Sequence, residues 1–267
     1  MTPPLEIRRA WRAATALHDR FYIHDAADID VRTIAALLGV TVRDGGVHGA
    51  TARLIGDDRW GIIRLSPRVE HDGARNFSVA HELGHRQLAH PPVAVAALCA
   101  APRARDRVDR TVEAAANAFA AELLMPARLL RRRCEVSPVS LDIARGISAD
   151  FKVTLMAAAL RFVELTSERC ALVFSQQSHV VWAARSASFI PGLARGRRLD
   201  PQSVAADWFC GGRMYEGCQL VPGDAWLEHS GATNVEIWED SLSIPTVDGV
   251  VSLLWIPDRI AAPFDQQ

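Results

Sequence analysis

His81-Glu82-Leu83-Gly84-His85 is the run of this chain whose residue types and spacing are suited to chemistry. On a helix, His81 and His85 lie one turn apart. Both imidazoles then project from one face and can hold one small cation at tetrahedral angles, the spacing a zinc site needs. Glu82 points about 100° around the helix from His81, on the flank where a carboxylate can take a proton from a water without ligating the metal itself. The chemistry implied is hydrolysis with Glu82 as general base. Gly84 costs a helix roughly 1 kcal/mol relative to Ala, so its place inside the motif suggests close approach of another backbone or of a metal-binding partner helix, the alternative being a harmless weakness.

A catalytic zinc site needs a third protein ligand. His90 is nearest in sequence but faces about 140° away from His85 and reads as a helix-end histidine. Glu113 and Glu122 lie on opposite flanks of a second helix, so only one of them can face the metal. Glu113 shares a stripe with Asn117, Ala120 and Leu124, and position puts it modestly ahead. An oxyanion would need a further donor; Tyr22, His48 and His71 are of suitable type, and nothing in the sequence selects one.

The elements that must position these residues are legible from periodicity. Apolar residues at helical spacing mark helices from Leu5 to about Arg20 and from Val31 to Leu38. Val40 to Val42, Thr51 to Ile55 and Trp60 to Leu65 are β-rich runs, the last two separated by a Gly56-Asp57-Asp58 turn, and they predict a small antiparallel sheet. If Trp60 to Leu65 forms the sheet edge above the metal, it can pair with an extended substrate. Asn76 to His90 reads as a helix closed by Pro91 and Pro92, which cannot continue the hydrogen-bond ladder. Asp109 to Leu124 is a second strong helix, with Val112, Ala116, Phe119 and Leu123 on one apolar stripe. Shorter helices are expected at Ala127 to Arg133, Ser140 to Arg145 and Lys152 to Leu165. Beyond Ser167 the pattern turns to strands, at Ala171 to Phe174, His179 to Ala183, Val235 to Trp238 and Val250 to Trp255, with five tryptophans that can bury substantial area.

The 267 residues suit about two domains. Apolar residues make up 49% and charged residues 23%, ordinary globular values. Lys and Arg number 30 against 31 Asp and Glu, so a net charge of -1 supplies no overall basic field for nucleic acid. No secretory signal pattern is seen, and the longest nearly uncharged stretch, Pro91 to Pro102, is shorter than the ~20 residues of a membrane span. Five scattered cysteines without a C-x-x-C pair suit a reducing cytoplasm and argue against a zinc-thiolate site.

Phe77-Ser78-Val79-Ala80-His81-Glu82-Leu83-Gly84-His85, paired with Glu113-x-x-x-Asn117-Ala118-Phe119-Ala120-Ala121-Glu122-Leu123-Leu124-Met125-Pro126, resembles the ImmA/IrrE family of bacterial metallopeptidases. The likeness covers about Leu5 to Leu165. It implies an α+β, zincin-like and mainly helical metallopeptidase domain over residues 1–126, in which the two motif helices carry the metal against the small sheet. It also implies that Glu113 is the third ligand beside His81 and His85, with zinc the expected cation and other divalent ions able to take its place. Residues 127–166 then resemble the helix-turn-helix-like segment of some members. Residues 167–267, β-rich, bear a fainter likeness to a GAF-like sensor module. The substrate class implied is a helix-turn-helix repressor, cut once to release stress or mobile-element genes.

Two other functions compete with this one. Arg128, Arg131, Arg132 and Arg133, beside the helix-turn-helix-like pattern, permit a DNA-binding regulator with a structural metal site. The candidate recognition helix, Thr154 to Phe162, is however rich in Ala, Leu and Met and poor in base-reading side chains, so direct nucleic-acid binding is not expected. The other alternative makes the β-rich part a ligand sensor, for which its tryptophans are the sequence support; core packing accounts for the same residues.

Overall fold

Ala10, Ala14 and Leu17 recur on one stripe of Leu5–Arg20 and are buried, which makes this segment the first helix, α1. The computed structural model describes residues 3–47, 51–57, 59–89 and 102–264. The Asp30 carboxylate caps α2 (Val31–Leu37) by accepting from the Arg32 and Thr33 backbone N–H groups. Three short strands follow: β1 (Val40–Asp44), β2 (Ala52–Gly56) and β3 (Gly61–Leu65). Asp57 fixes the β2–β3 turn by accepting from the backbone N–H groups of Arg59 (2.8 Å) and Trp60 (3.0 Å). Gly56, at φ 150°, has the Trp60 carbonyl oxygen 2.3 Å from where a Cβ would stand, so only glycine fits there.

The small sheet is present but not wholly antiparallel. β3 pairs antiparallel with β2 and parallel with β1, in the order β1-β3-β2. Asp44 and Ala52 both register on Leu65, so the chain returns at one end of the sheet and β3 inserts between its two predecessors. The run from Trp60 to Leu65 is therefore the central strand and not the edge; β2 is the edge strand on its far side.

Two long helices complete this part. In α3 (Asp72–Gln87), His71 caps the start by accepting the Gly73 N–H on Nδ1 at 3.0 Å. The sequence predicts a helix that runs to His90 and ends at the prolines, but it closes earlier, at Leu88, because Ala89 adopts left-handed φ of 52°. His90 lies outside the described residues. α4 (Pro102–Leu124) begins with proline, as suits a first helical position. It packs against both α1 and α3, with Ala116, Phe119 and Leu123 buried beside Val79, Ala80 and Leu83 of α3. His18 of α1, 1% exposed, joins the Leu123 carbonyl at 3.0 Å.

Helices α5 (Ala127–Cys134), α6 (Leu141–Phe151) and α7 (Leu155–Leu165) follow. The chain folds into two compact units. One is Met1–Leu129 with Ile147–Thr154; the other is Leu130–Gly146 with Leu155–Gln267.

The second unit is built on a five-stranded antiparallel sheet ordered β5-β4-β8-β7-β6. Its strands are β4 (Arg169–Gln176), β5 (His179–Arg185), β6 (Gln219–Pro222), β7 (Glu236–Ile244) and β8 (Gly249–Ile256). The β4–β5 hairpin turns through Gln177 and Ser178, both left-handed, as a two-residue turn matching strand twist requires. One face of the sheet buries Ala171, Val173, Val221, Ile237 and Leu254 with Trp226 and Phe264. Helix α8 (Val204–Gly211) and strand β6 have no counterpart among the elements expected from the sequence.

Glu239 organises this core. It is fully buried and accepts from the Val204 and Ala205 backbone N–H groups at 2.9 and 2.8 Å, from Trp226 Nε1 at 2.7 Å and from Ser241 Oγ at 2.7 Å. Burial pushes its pKa up, and the four donors pull it down. Among the described residues the cysteines Cys134, Cys170, Cys210 and Cys218 are free thiols. Burial pushes Cys134 to about 11 and Cys170 to about 12, which keeps both protonated and poor as metal ligands. Among the described residues no helix is long and apolar enough to cross a membrane.

Candidate metal centre and active site

His81 and His85 project from α3 toward α4, where Glu113 meets them. His85 Nε2 lies 3.0 Å from His81 Nε2 and 3.4 Å from Glu113 Oε1, and His81 Nε2 lies 3.2 Å from Glu113 Oε2. A tetrahedral zinc with nitrogen and oxygen ligands at its usual bond lengths spaces them roughly 3.3 Å apart, so this donor set fits the ion without rearrangement. Among the described residues these three form the group of His, Cys, Asp or Glu that could hold a metal, with all ligand atoms within 4.8 Å of one another.

The helices can approach this closely because of Gly84. A Cβ there would stand 3.1 Å from the Ala116 carbonyl oxygen, 3.1 Å from Phe119 Cδ1 and 3.2 Å from Ala116 Cα. Gly84→Ala is expected to force α3 and α4 apart by a few tenths of an ångström and to cost about 1–3 kcal/mol by overpacking, despite the better helix propensity of alanine. Denaturant unfolding checks this; an unchanged or raised stability would mean that the interface yields freely.

Asn117, one turn after Glu113, accepts on Oδ1 from His81 Nδ1 at 2.9 Å. An amide oxygen can only accept, so His81 carries its proton on Nδ1 and keeps the Nε2 lone pair for a cation. Sequence reasoning puts Asn117 on the Glu113 stripe without assigning it a role; the i, i+4 spacing is the signal. Asn117→Ala is expected to weaken zinc binding about 10–100-fold while leaving the fold intact, as read by competition with a chromophoric chelator. Wild-type affinity would show that His81 needs no such support.

Glu82 stands beside this cluster, held by the Leu54 backbone N–H of β2, which donates to Oε2 at 2.8 Å. Burial raises its pKa above the ordinary carboxylate value; the Leu54 hydrogen bond and the His81 imidazole act against that, and the Glu113 charge adds to it. A backbone donor has no side-chain signature, so sequence reasoning has no means of finding Leu54.

The remaining candidates are elsewhere. Glu122, 8% exposed, accepts from the Ala127 N–H at 3.2 Å and so serves the start of α5. His71 caps α3 ten residues before His81, about 15 Å along the helix. Tyr22 is 78% exposed just past the end of α1. His48 lies outside the described residues.

Helices, sheet and His-Glu-x-x-His cluster together define a metallopeptidase-type domain. Residues 22–163, more than half of the chain, match the peptidase M78 family, described as the IrrE N-terminal-like domain, and the chain belongs to that family. No curated protein sequence matches it. Among solved structures, a Mycobacterium tuberculosis transcriptional regulator is similar, with a TM-score of 0.62 at 14% identity, over 96% of this chain and 78% of that one. At that identity the likeness is one of fold.

Proposed function

We propose that the chain is a zinc-dependent endopeptidase that makes a limited cut in a helix-turn-helix transcriptional repressor in the cytoplasm. The convergence of His81, His85 and Glu113 with Glu82 beside them carries this reading. A zinc ion held by the two imidazoles and the carboxylate would supply Lewis acidity for peptide hydrolysis. Glu82 accepts the proton of the attacking water and passes it to the leaving amine. The Leu54 N–H occupies Glu82 Oε2 and leaves Oε1 for that proton. Edge strand β2 offers backbone groups to an extended substrate in the role the sequence suggested for β3.

The helix-turn-helix alternative loses support at its recognition helix. Ala158, Ala159, Phe162 and Val163 of α7 are buried, and Arg161, 2% exposed, is bound to Glu164 at 2.7 Å. The sensor role for residues 167–267 has as its support an open cleft of about 450 Å³ lined by Leu220, Trp238, Arg259 and Ile260.

The test is to incubate zinc-loaded protein with the helix-turn-helix repressor encoded nearest to it and to weigh the products intact. A single new cut that a chelator suppresses is expected. An uncut repressor beside fully zinc-loaded protein would count against this substrate class.

A further inference from the structure

The outer face of the three-stranded sheet carries a row of like charges. Arg43 of β1, Arg64 of β3 and Arg53 of β2 register directly opposite one another, and all three are exposed. Adjacent strands lie about 4.8 Å apart, so three guanidinium groups spring from a line roughly 10 Å long. None of the three side chains has an ion pair or hydrogen bond to another described residue; Asp44, the acid next to Arg43, is engaged with Arg75. Like charges directly opposite each other destabilise a sheet, and what stands against this repulsion is the attraction of Arg53 for the Glu82 carboxylate.

Beside this row runs an apolar one. Ile62 pairs with Ile55, which is 51% exposed, and Trp60, 53% exposed, stands next along the same face. The opposite face is closed, with Ala52, Ile63 and Leu65 buried and α3 packed on β2 and β3. Arg53 and Ile55 also flank Leu54, whose N–H holds Glu82, so the patch begins at the rim of the metal cleft.

We propose that this face docks an acidic and apolar segment of a protein partner, with Arg43, Arg64 and Arg53 receiving carboxylates and Ile55 and Trp60 receiving apolar side chains. Charge complementarity selects an anionic occupant. A row only about 10 Å long with one exposed ring, Trp60, gives a nucleic-acid strand no continuous basic track and a single stacking platform, which favours a protein segment. The identification of this partner as the substrate rests on the peptidase reading; the docking itself does not.

The test uses full-length protein carrying Glu82→Gln, so that binding is read without cleavage. Fluorescence anisotropy compares a dye-labelled peptide of Glu-Glu-Leu repeats with one of Lys-Lys-Leu repeats and with oligothymidylate. The acidic peptide is expected to bind best. Its affinity should fall about tenfold when Arg43→Thr and Arg64→Thr are added, with thermal stability held or raised because the repulsion is relieved. Equal affinity in that variant overturns the proposal, and preference for oligothymidylate assigns the face to phosphates instead. Acidic-peptide binding that depends on the arginines, beside a zinc-loaded wild-type protein that cuts no repressor, would count against the repressor as substrate and leave the docking face standing.

Discussion

Glu82→Gln is expected to leave about one zinc bound per chain and to lower peptide hydrolysis by at least a factor of about 10²–10⁴. The side chain keeps its size, and its amide oxygen can still accept the Leu54 N–H that the carboxylate accepts at 2.8 Å. What it loses is the capacity to take a proton. His81, His85 and Glu113 are untouched, so the metal site should survive, and metal content separates a lost base from a lost fold. Intact-mass analysis of a cleaved repressor gives the rate. Hydrolysis within a fewfold of wild type would show that another group takes the proton, and loss of zinc together with activity would show that Glu82 supports the metal rather than the chemistry.

Glu239→Ala is expected to destabilise the second unit by about 3–5 kcal/mol, because it strands several buried donors at once and each unsatisfied one costs about 1–3 kcal/mol. The carboxylate serves four donors: two backbone N–H groups at the start of α8, the Trp226 indole and the Ser241 hydroxyl. Truncation leaves all of them buried, and water has no ready route to replace the acceptor. Glu239→Gln should cost less, since its amide oxygen still serves some of the donors while its NH2 group faces others. Urea unfolding followed by tryptophan fluorescence reads the difference, because Trp226 is itself one of the partners. A loss below about 1 kcal/mol for Glu239→Ala would mean that α8 and its neighbours find other partners cheaply.

The motif helices are legible in the sequence because their signals are local. His81, Glu82 and His85 lie within one turn, and the apolar stripe of α4 needs no knowledge of its neighbours. Gly84 leaves a close helix crossing or a harmless weakness open in the sequence, and the 3.2 Å from a Cβ there to Ala116 Cα decides for the crossing. Placing Glu113 ahead of Glu122 takes the family resemblance as well as position, and the geometry brings Glu113 to the histidines and Glu122 to the start of α5. Features that depend on remote partners are hidden. Strand identity can be read for β1, β2 and β3, but the insertion of β3 between the other two is a matter of register that alternation along each strand does not specify. Helix α8 is only eight residues long, and a glutamate on a strand thirty-odd positions later anchors its first turn. Strand β6, four residues ending in Pro222, carries too little pattern to stand out. The arginine row exists in the sequence only as three unrelated positions until the pairing aligns them.

The nitrogen donors sit on α3 and the carboxylate on α4, so an ion seated among them ties together two stretches of chain that are distant in sequence. In thermodynamic terms it acts as a removable staple. It closes a loop that the unfolded chain leaves open, and the free energy of holding it adds to that of folding. The tie scales with the free concentration of the ion, gaining about 1.4 kcal/mol for each tenfold excess over the dissociation constant. For a chain that holds an ion there, its removal would cost durability as well as chemistry, so a chelator would lower the melting temperature together with any activity.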